Sequence, residues 1–185
     1  MRFGNTRQTY GVISIGLHWL IAVLVIGLFL LGLYMTSLDY YDRWYQTAPD
    51  IHRSVGIILV VLLLFRMSWR IITPLPEPVG NDSRILQRMA ELVHWGLYLL
   101  LFAIAISGYL ITTADGRGID VFGWFTVPAL IPAFDNMEDV AGEIHWVLAV
   151  VMMTLVGVHS LAALKHHFID RDATLMRMLG RPRRS

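Results

Sequence analysis

Cysteine does not occur anywhere in this 185-residue sequence. Its absence excludes a disulfide framework, thiolate-held iron–sulfur clusters, covalent haem of the C-x-x-C-H kind and Cys-type zinc sites. Redox chemistry in this chain must therefore come from a cofactor held without a covalent bond. Charge is the second scarcity: charged residues make up 16% of the chain and hydrophobic residues 56%, with a mean hydropathy of +0.57. An average soluble domain is about 25% charged, so the composition points to a membrane. No short signal-type core is present either. The uncharged run from Gln8 to Leu38 is far longer than the roughly 7–15 residues of a signal peptide's apolar region and shows no small-residue cleavage site. It is expected to be a retained membrane span.

What the chain has instead is long apolar segments. A hydrocarbon core about 30 Å thick needs roughly 20 apolar residues in a helix. Four segments qualify, predicted to cover about 14–35, 51–72, 86–114 and 140–166. The second must stop where Thr73-Pro74-Leu75-Pro76-Glu77-Pro78 begins, because proline removes donors and disfavours a preceding helical residue. The third is expected to begin from a cap at Asp82/Ser83. The predicted fold is all-α: a single-domain, integral-membrane four-helix bundle without internal repeats. Arg66 and Arg70 fall in the last turns of the second span, where they snorkel or face inward. With both termini in the cytoplasm, twelve of the fifteen basic residues lie inside, and only Arg43, Arg53 and Arg117 outside. That arrangement satisfies the positive-inside rule. Nine of the fourteen acidic residues then lie outside, giving an acidic outer face.

Five of the seven histidines sit within or at the ends of apolar helices: His18, His52, His94, His145 and His159. Polar groups in a span are costly and face the bundle interior with a partner. One such histidine alone reads equally well as a satisfied core residue; the arrangement of several does not. His145 and His159 are fourteen residues apart, nearly four helical turns, so they share one face at about 21 Å separation. Counting depth along alternating helices pairs His18 with His159 near the inner surface and His52 with His145 near the outer one. Two stacked bis-imidazole sites result, suited to two b-type haems with both axial positions filled and hence to one-electron transfer. Zinc fits less well, because two facing histidines do not complete its usual four-ligand shell. Gly16, Gly56, Gly142 and Gly157 lie near these histidines, either clearing room for a flat macrocycle or serving ordinary close helix packing.

These residues carry a family resemblance along nearly the whole chain. Ile15-Gly16-Leu17-His18-Trp19-Leu20, Ile51-His52-Arg53-Ser54-Val55-Gly56 and Leu92-Val93-His94-Trp95-Gly96-Leu97-Tyr98-Leu99-Leu100 recur in order. The strongest piece is Gly157-Val158-His159-Ser160-Leu161-Ala162-Ala163-Leu164-Lys165-His166-His167-Phe168, followed by a Met- and Arg-rich tail. The sequence resembles the bacterial cytochrome b561 family of the short, four-helix, dihaem type, and within it the superoxide:ubiquinone oxidoreductases. The resemblance implies that His18, His52, His145 and His159 are the haem ligands. It also implies a bacterial inner-membrane location and a quinone site near the inner haem. His166 follows His159 by seven residues and shares its face, so it is the candidate catalytic residue, delivering protons as ubiquinone becomes ubiquinol. His167 is assigned to lipid headgroups. His94 is left with three readings: partner of a haem propionate, wall of the quinone pocket, or plain buried histidine. Arg66 is a candidate for an inner propionate, since guanidinium binds carboxylate in a bidentate way.

The expected function is transmembrane electron transfer, with superoxide oxidised outside and ubiquinone reduced inside. The alternative is a cytochrome b subunit linking a periplasmic redox protein or dehydrogenase to the quinone pool, which the acidic outer rim suits better than it suits an anionic donor. A third possibility is a bundle that holds haem without redox turnover. The loop from Thr113 to Asp139 carries Phe122, Trp124, Phe125 and Phe134 and reads either as an interfacial aromatic belt or as a lid over the outer site. Nucleic-acid binding has no support, because anionic lipid accounts for the tail arginines Arg177, Arg181, Arg183 and Arg184.

Overall fold

The computed structural model describes residues 2–79 and 83–181. Four long helices dominate: α1 (Val12–Met35), α2 (Thr47–Ile72), α3 (Arg84–Thr113) and α4 (Met137–Phe168). All four are long and apolar enough to cross a membrane. A short helix α5 (Thr174–Met178) follows, and two strands, β1 (Ile119–Val121) and β2 (Phe125–Val127), form an antiparallel hairpin between α3 and α4. The chain is an all-α, four-helix membrane bundle in class. Its helices present Val23, Leu30, Val61, Leu99, Ile106 and Leu161 at their surfaces, a load of exposed apolar area that a soluble monomer rarely carries and that lipid covers.

The helix ends follow from local chemistry. α2 starts one turn before its apolar run, with Pro49 in the first turn, where a missing N–H costs nothing. It closes with Thr73 N–H donating to the Trp69 carbonyl at 3.1 Å, just before Pro74. Ser83 caps α3: its hydroxyl accepts from Leu86 N–H at 3.3 Å, satisfying an otherwise orphaned donor. Asp82, the other residue expected at that cap, lies outside the described residues. α4 carries Glu138 and Asp139 in its first turn and Lys165, His166 and His167 in its last, matching the helix macrodipole at both ends. These polar turns extend the helix beyond the 140–166 expected from hydropathy alone.

The chain divides into two compact units, each taking a piece of all four long helices. The first comprises Met1–Ile21, Leu62–Tyr98 and Met153–Ser185. There the N-terminal segment is tied down by Asn5, which accepts from Gly11 N–H at 2.9 Å and Ser14 Oγ at 2.7 Å and donates to Thr73 Oγ1 at 3.1 Å. Gly11 must lack a side chain, because the backbone of Phe3 and Gly4 crowds the place a Cβ would take. The tail is held by Trp19 Nε1 donating to the Met178 carbonyl at 2.8 Å and by Arg177 Nη1 donating to the Glu77 carbonyl at 2.7 Å.

The second unit comprises Ala22–Val61 and Leu99–Met152. Its hairpin turns through Phe122 (φ 52°) and Gly123 (φ 70°), and Trp124 N–H closes the turn on the Val121 carbonyl at 2.9 Å. Ile119 and Val121 are buried beneath it. The almost fully buried Ser54 of α2 accepts from Phe122 N–H at 3.2 Å and donates to the Asp120 carbonyl at 3.4 Å. The expected loop is thus a hairpin fastened to α2, two residues from His52.

Candidate functional site

Two histidine pairs stand out. In the first unit the rings of His18 (α1) and His159 (α4) have centroids 6.3 Å apart at an interplanar angle of 68°. In the second, His52 (α2) and His145 (α4) have centroids 6.2 Å apart at 67°. Two metal–nitrogen bonds of about 2.0 Å, with about 1.15 Å from each nitrogen to its ring centre, place the centres of a linear bis-imidazole complex roughly 6.3 Å apart. Both pairs have that separation.

The surroundings of the pairs differ. His145 Nδ1 lies 3.0 Å from the Ile104 carbonyl and 3.1 Å from Ser107 Oγ, and that hydroxyl itself donates to the Ile104 carbonyl at 2.9 Å. With Nδ1 so engaged, Nε2 is the nitrogen left to ligate. Gly108 packs on the same ring: an added Cβ would stand 3.2 Å from His145 Cε1, and one at Gly32 would stand 3.6 Å from His52 Cε1. In the first unit, Arg66 donates from Nε to Tyr98 Oη at 3.0 Å and from Nη1 to the Ser14 carbonyl at 3.2 Å, and its Nη2 lies 3.4 Å from His18 Nδ1. His94 contributes a third imidazole, with its centroid 5.3 Å from that of His159 and a hydrogen bond to the backbone of Ala90.

One observation fits a haem between the members of each pair, and two more fit one between His52 and His145. The ring separations leave space for a metal and little else. His52 Nδ1 is buried without a hydrogen-bond partner among the described residues, an arrangement that costs about 1–3 kcal/mol unless a bound group relieves it. A Cβ at Gly16, Gly56, Gly142 or Gly157 would meet nothing within 4 Å. Of these four, Gly56 and Gly142 stand one turn from His52 and His145 and share the ligand faces. Gly16 and Gly157 stand two residues from theirs and point elsewhere, so their openness clears no ligand face.

Past the end of α4 the chain folds back through Arg171 (φ 55°) and brings Asp172 to His166. The Asp172 carboxylate lies 2.8 Å from His166 Nδ1, and that of Asp170 lies 3.2 Å away. Burial pushes the Asp172 carboxyl up, but hydrogen bonds from Thr174 and His166 outweigh it and hold the group below its ordinary value. The three side chains bring ligand atoms within 4.8 Å of one another. Lys165 Nζ, however, already lies 2.7 Å from Asp170, which makes this an ion-pair cluster rather than a metal centre. His167 instead stacks edge-on to Phe168, with centroids 4.8 Å apart.

A cavity of about 550 Å³ opens between the first turns of α2 and the hairpin, lined by Asp50, Arg53, Ser54, Asp115, Arg117 and Asp120 among others. Each arginine is already paired: Arg53 with Asp50, and Arg117 with Asp115 through Nε at 2.6 Å. The hydrogen bonds from Arg117 hold the Asp115 carboxyl below its ordinary value. Sequence reasoning missed Ser107, Gly108, Gly32, Tyr98 and Asp172. Only Gly108 carried a usable signal: a glycine followed four residues later by a threonine inside an uncharged span.

A profile of the prokaryotic cytochrome b561 family matches residues 9–181. "Cytochrome b561 homolog 2" of Escherichia coli (strain K12) is 52% identical over 181 residues, covering 98% of this chain and 96% of the relative. "Probable superoxide oxidase CybB" of Yersinia pestis is 34% identical over 181 residues, covering 96% and 99%. "Cytochrome b562" of Cereibacter sphaeroides is 29% identical over 180 residues, covering 94% and 96%. Length, hydropathy, paired histidines and these matches agree: the chain belongs to the prokaryotic cytochrome b561 family, the multi-pass electron-transfer proteins of the bacterial inner membrane that carry b-type haem.

Proposed function

We propose that this chain is a superoxide:ubiquinone oxidoreductase with both termini in the cytoplasm, holding one haem between His52 and His145 at the outer side and another between His18 and His159 at the inner side. The observation that carries the reading is the equal spacing of the two histidine pairs, 6.2 Å and 6.3 Å. Haem held by these imidazoles would supply one-electron transfer. In the net reaction two superoxide anions each lose one electron and leave as dioxygen, while one ubiquinone gains two electrons and two protons to become ubiquinol.

The chain's own residues would manage the protons and the approach. His166 stands two turns beyond His159 on α4, and its Nδ1 is engaged by Asp172 at 2.8 Å. The carboxylate orients the imidazole, leaving Nε2–H to donate to a quinone oxygen. Lys165 and Asp170 beside it provide a polar route for replacement protons from the cytoplasm. At the outer side, Ser54 fixes the hairpin beside His52, which supports the reading of the hairpin as a lid restricting access to that end. The similarity to "Probable superoxide oxidase CybB" favours superoxide as donor.

One observation favours a different donor. Arg53 and Arg117, two of the three outer arginines, are each neutralised by an aspartate, and Asp120 adds a further acid to the cavity they line. An acidic surface of this kind attracts a basic redox protein more strongly than an anion. Rapid mixing of the oxidised holoprotein with superoxide, with and without a short-chain ubiquinone, separates the two. Fast haem reduction, then reoxidation with quinol formation when quinone is present, is the expected result. Haem that stays oxidised toward superoxide yet is reduced by quinol would point to the partner-linked cytochrome.

A further inference from the structure

We infer that Arg66 at one histidine pair, and Ser107 with the Ile104 carbonyl at the other, make the two sites electrically unequal, so that the His18–His159 site has the higher reduction potential. The inference rests on the reading that each pair ligates a haem and adds to it a direction for the electrons.

The two pairs have nearly identical ring geometry, so a difference between them must come from the groups behind the rings. Behind His145 stand acceptors: the Ile104 carbonyl at 3.0 Å from Nδ1, with Ser107 Oγ at 3.1 Å. An Nδ1–H that donates to a carbonyl leaves the opposite nitrogen more basic. A more basic ligand stabilises the more positive oxidation state of the metal and lowers the potential. Ser107 is buried at 4% exposure, so water does not dilute the effect.

Behind His18 stands a cation. Arg66 Nη2 lies 3.4 Å from His18 Nδ1, and the same guanidinium is within electrostatic reach of His159 and His94. Its hydrogen bonds go to neutral oxygens, Tyr98 Oη and the Ser14 carbonyl, and no acidic side chain among the described residues pairs with it. Its charge is therefore not cancelled by an acidic side chain among the described residues, and arginine does not shed its proton. A fixed positive charge in a low-dielectric span disfavours the extra positive charge of the oxidised metal, which raises the potential. The two environments push in opposite directions, so their effects add in the difference. Electrons then run downhill from the His52–His145 end to the His18–His159 end, which under the proposed orientation is inward, toward His166.

Optical redox titration of the purified holoprotein tests this without any substrate turnover. The wild type is expected to show two one-electron components, and His18→Ala, by removing the higher one, identifies it. Arg66→Gln should lower that higher component by the equivalent of roughly tenfold in its equilibrium constant, about 59 mV, and leave the other in place. Arg66→Lys should retain most of the wild-type value. Ser107→Ala should raise the lower component alone. Arg66→Gln protein that keeps two haems with both potentials unchanged, or that shifts only the component surviving in His18→Ala, would overturn the inference. Wild-type protein with a single haem would instead sink the two-site reading on which it rests.

Discussion

His18 and His159 lie among charged and aromatic neighbours, Arg66, Tyr98 and His94, whereas His52 and His145 lie among small and neutral ones, Gly32, Ser107 and Gly108. The ring geometry is the same in both places. On the proposed reading the histidine pair is a reusable part, and the residues packed around it distinguish the two copies. The charged environment continues along α4 to the His166–Asp172 pair, to which we assign the handling of protons. The neutral environment ends at the Ser54-anchored hairpin, which we propose as the lid over that end.

The sharpest way to break the comparison is to remove one member of each pair. His52→Ala and His18→Ala are each expected to lose one haem and keep the other, read as haem per polypeptide with distinct residual spectra. Loss of both haems from either variant, or of neither, would show that the sites are not separate. Next in size is His166→Gln, which should slow quinone reduction by roughly 100- to 10,000-fold, the usual contribution of a general acid. Haem content and the rate of haem reduction from the donor side should stay as in wild type. An equal slowing on both sides would remove His166 from its assigned role.

Smaller effects sharpen the contrast at the neutral end. Ser54→Ala leaves Phe122 N–H without its acceptor and should cost about 1–3 kcal/mol in thermal stability, with faster proteolysis of the hairpin. Gly108→Ala puts a methyl 3.2 Å from the His145 ring. It should cost about 1–3 kcal/mol of strain and perturb only the spectrum that survives in His18→Ala. The smallest effect is expected with pH. Asp172 has its carboxyl held below the ordinary 3.8, so it stabilises the folded tail fully above that value. The contribution is lost only as pH falls further and the carboxylate takes up its proton. Hydrogen exchange at Thr174–Met178 should therefore rise below about pH 4 in wild type, and Asp172→Asn should already show the raised exchange at neutral pH.

The four helices and the pairing of the histidines were legible because both depend on one-dimensional properties, apolar run length and residue spacing. Alternating direction across the membrane turned spacing into pairing: His18 with His159, and His52 with His145. The neighbours were not legible, since Ser107 meets His145 across 38 residues and Arg66 meets His18 across 48, and no local pattern encodes such contacts. The hairpin was hidden for a different reason. Its turn has a glycine only at the second central position, Gly123, and places Phe122, a bulky residue, in the left-handed region at the first, where glycine, asparagine or aspartate is the usual signal. Asp172 escaped notice because its approach to His166 depends on Arg171 adopting φ 55°, without a glycine to mark the bend.

The claim from which the rest follows is that each histidine pair holds a six-coordinate haem. It is tested most directly by the haem content and spin state of the purified wild-type chain, from the pyridine haemochrome and low-temperature electron paramagnetic resonance. Two b-type haems per polypeptide are expected, both low-spin, with no high-spin signal. One haem per chain, or a high-spin component at full occupancy, would contradict it.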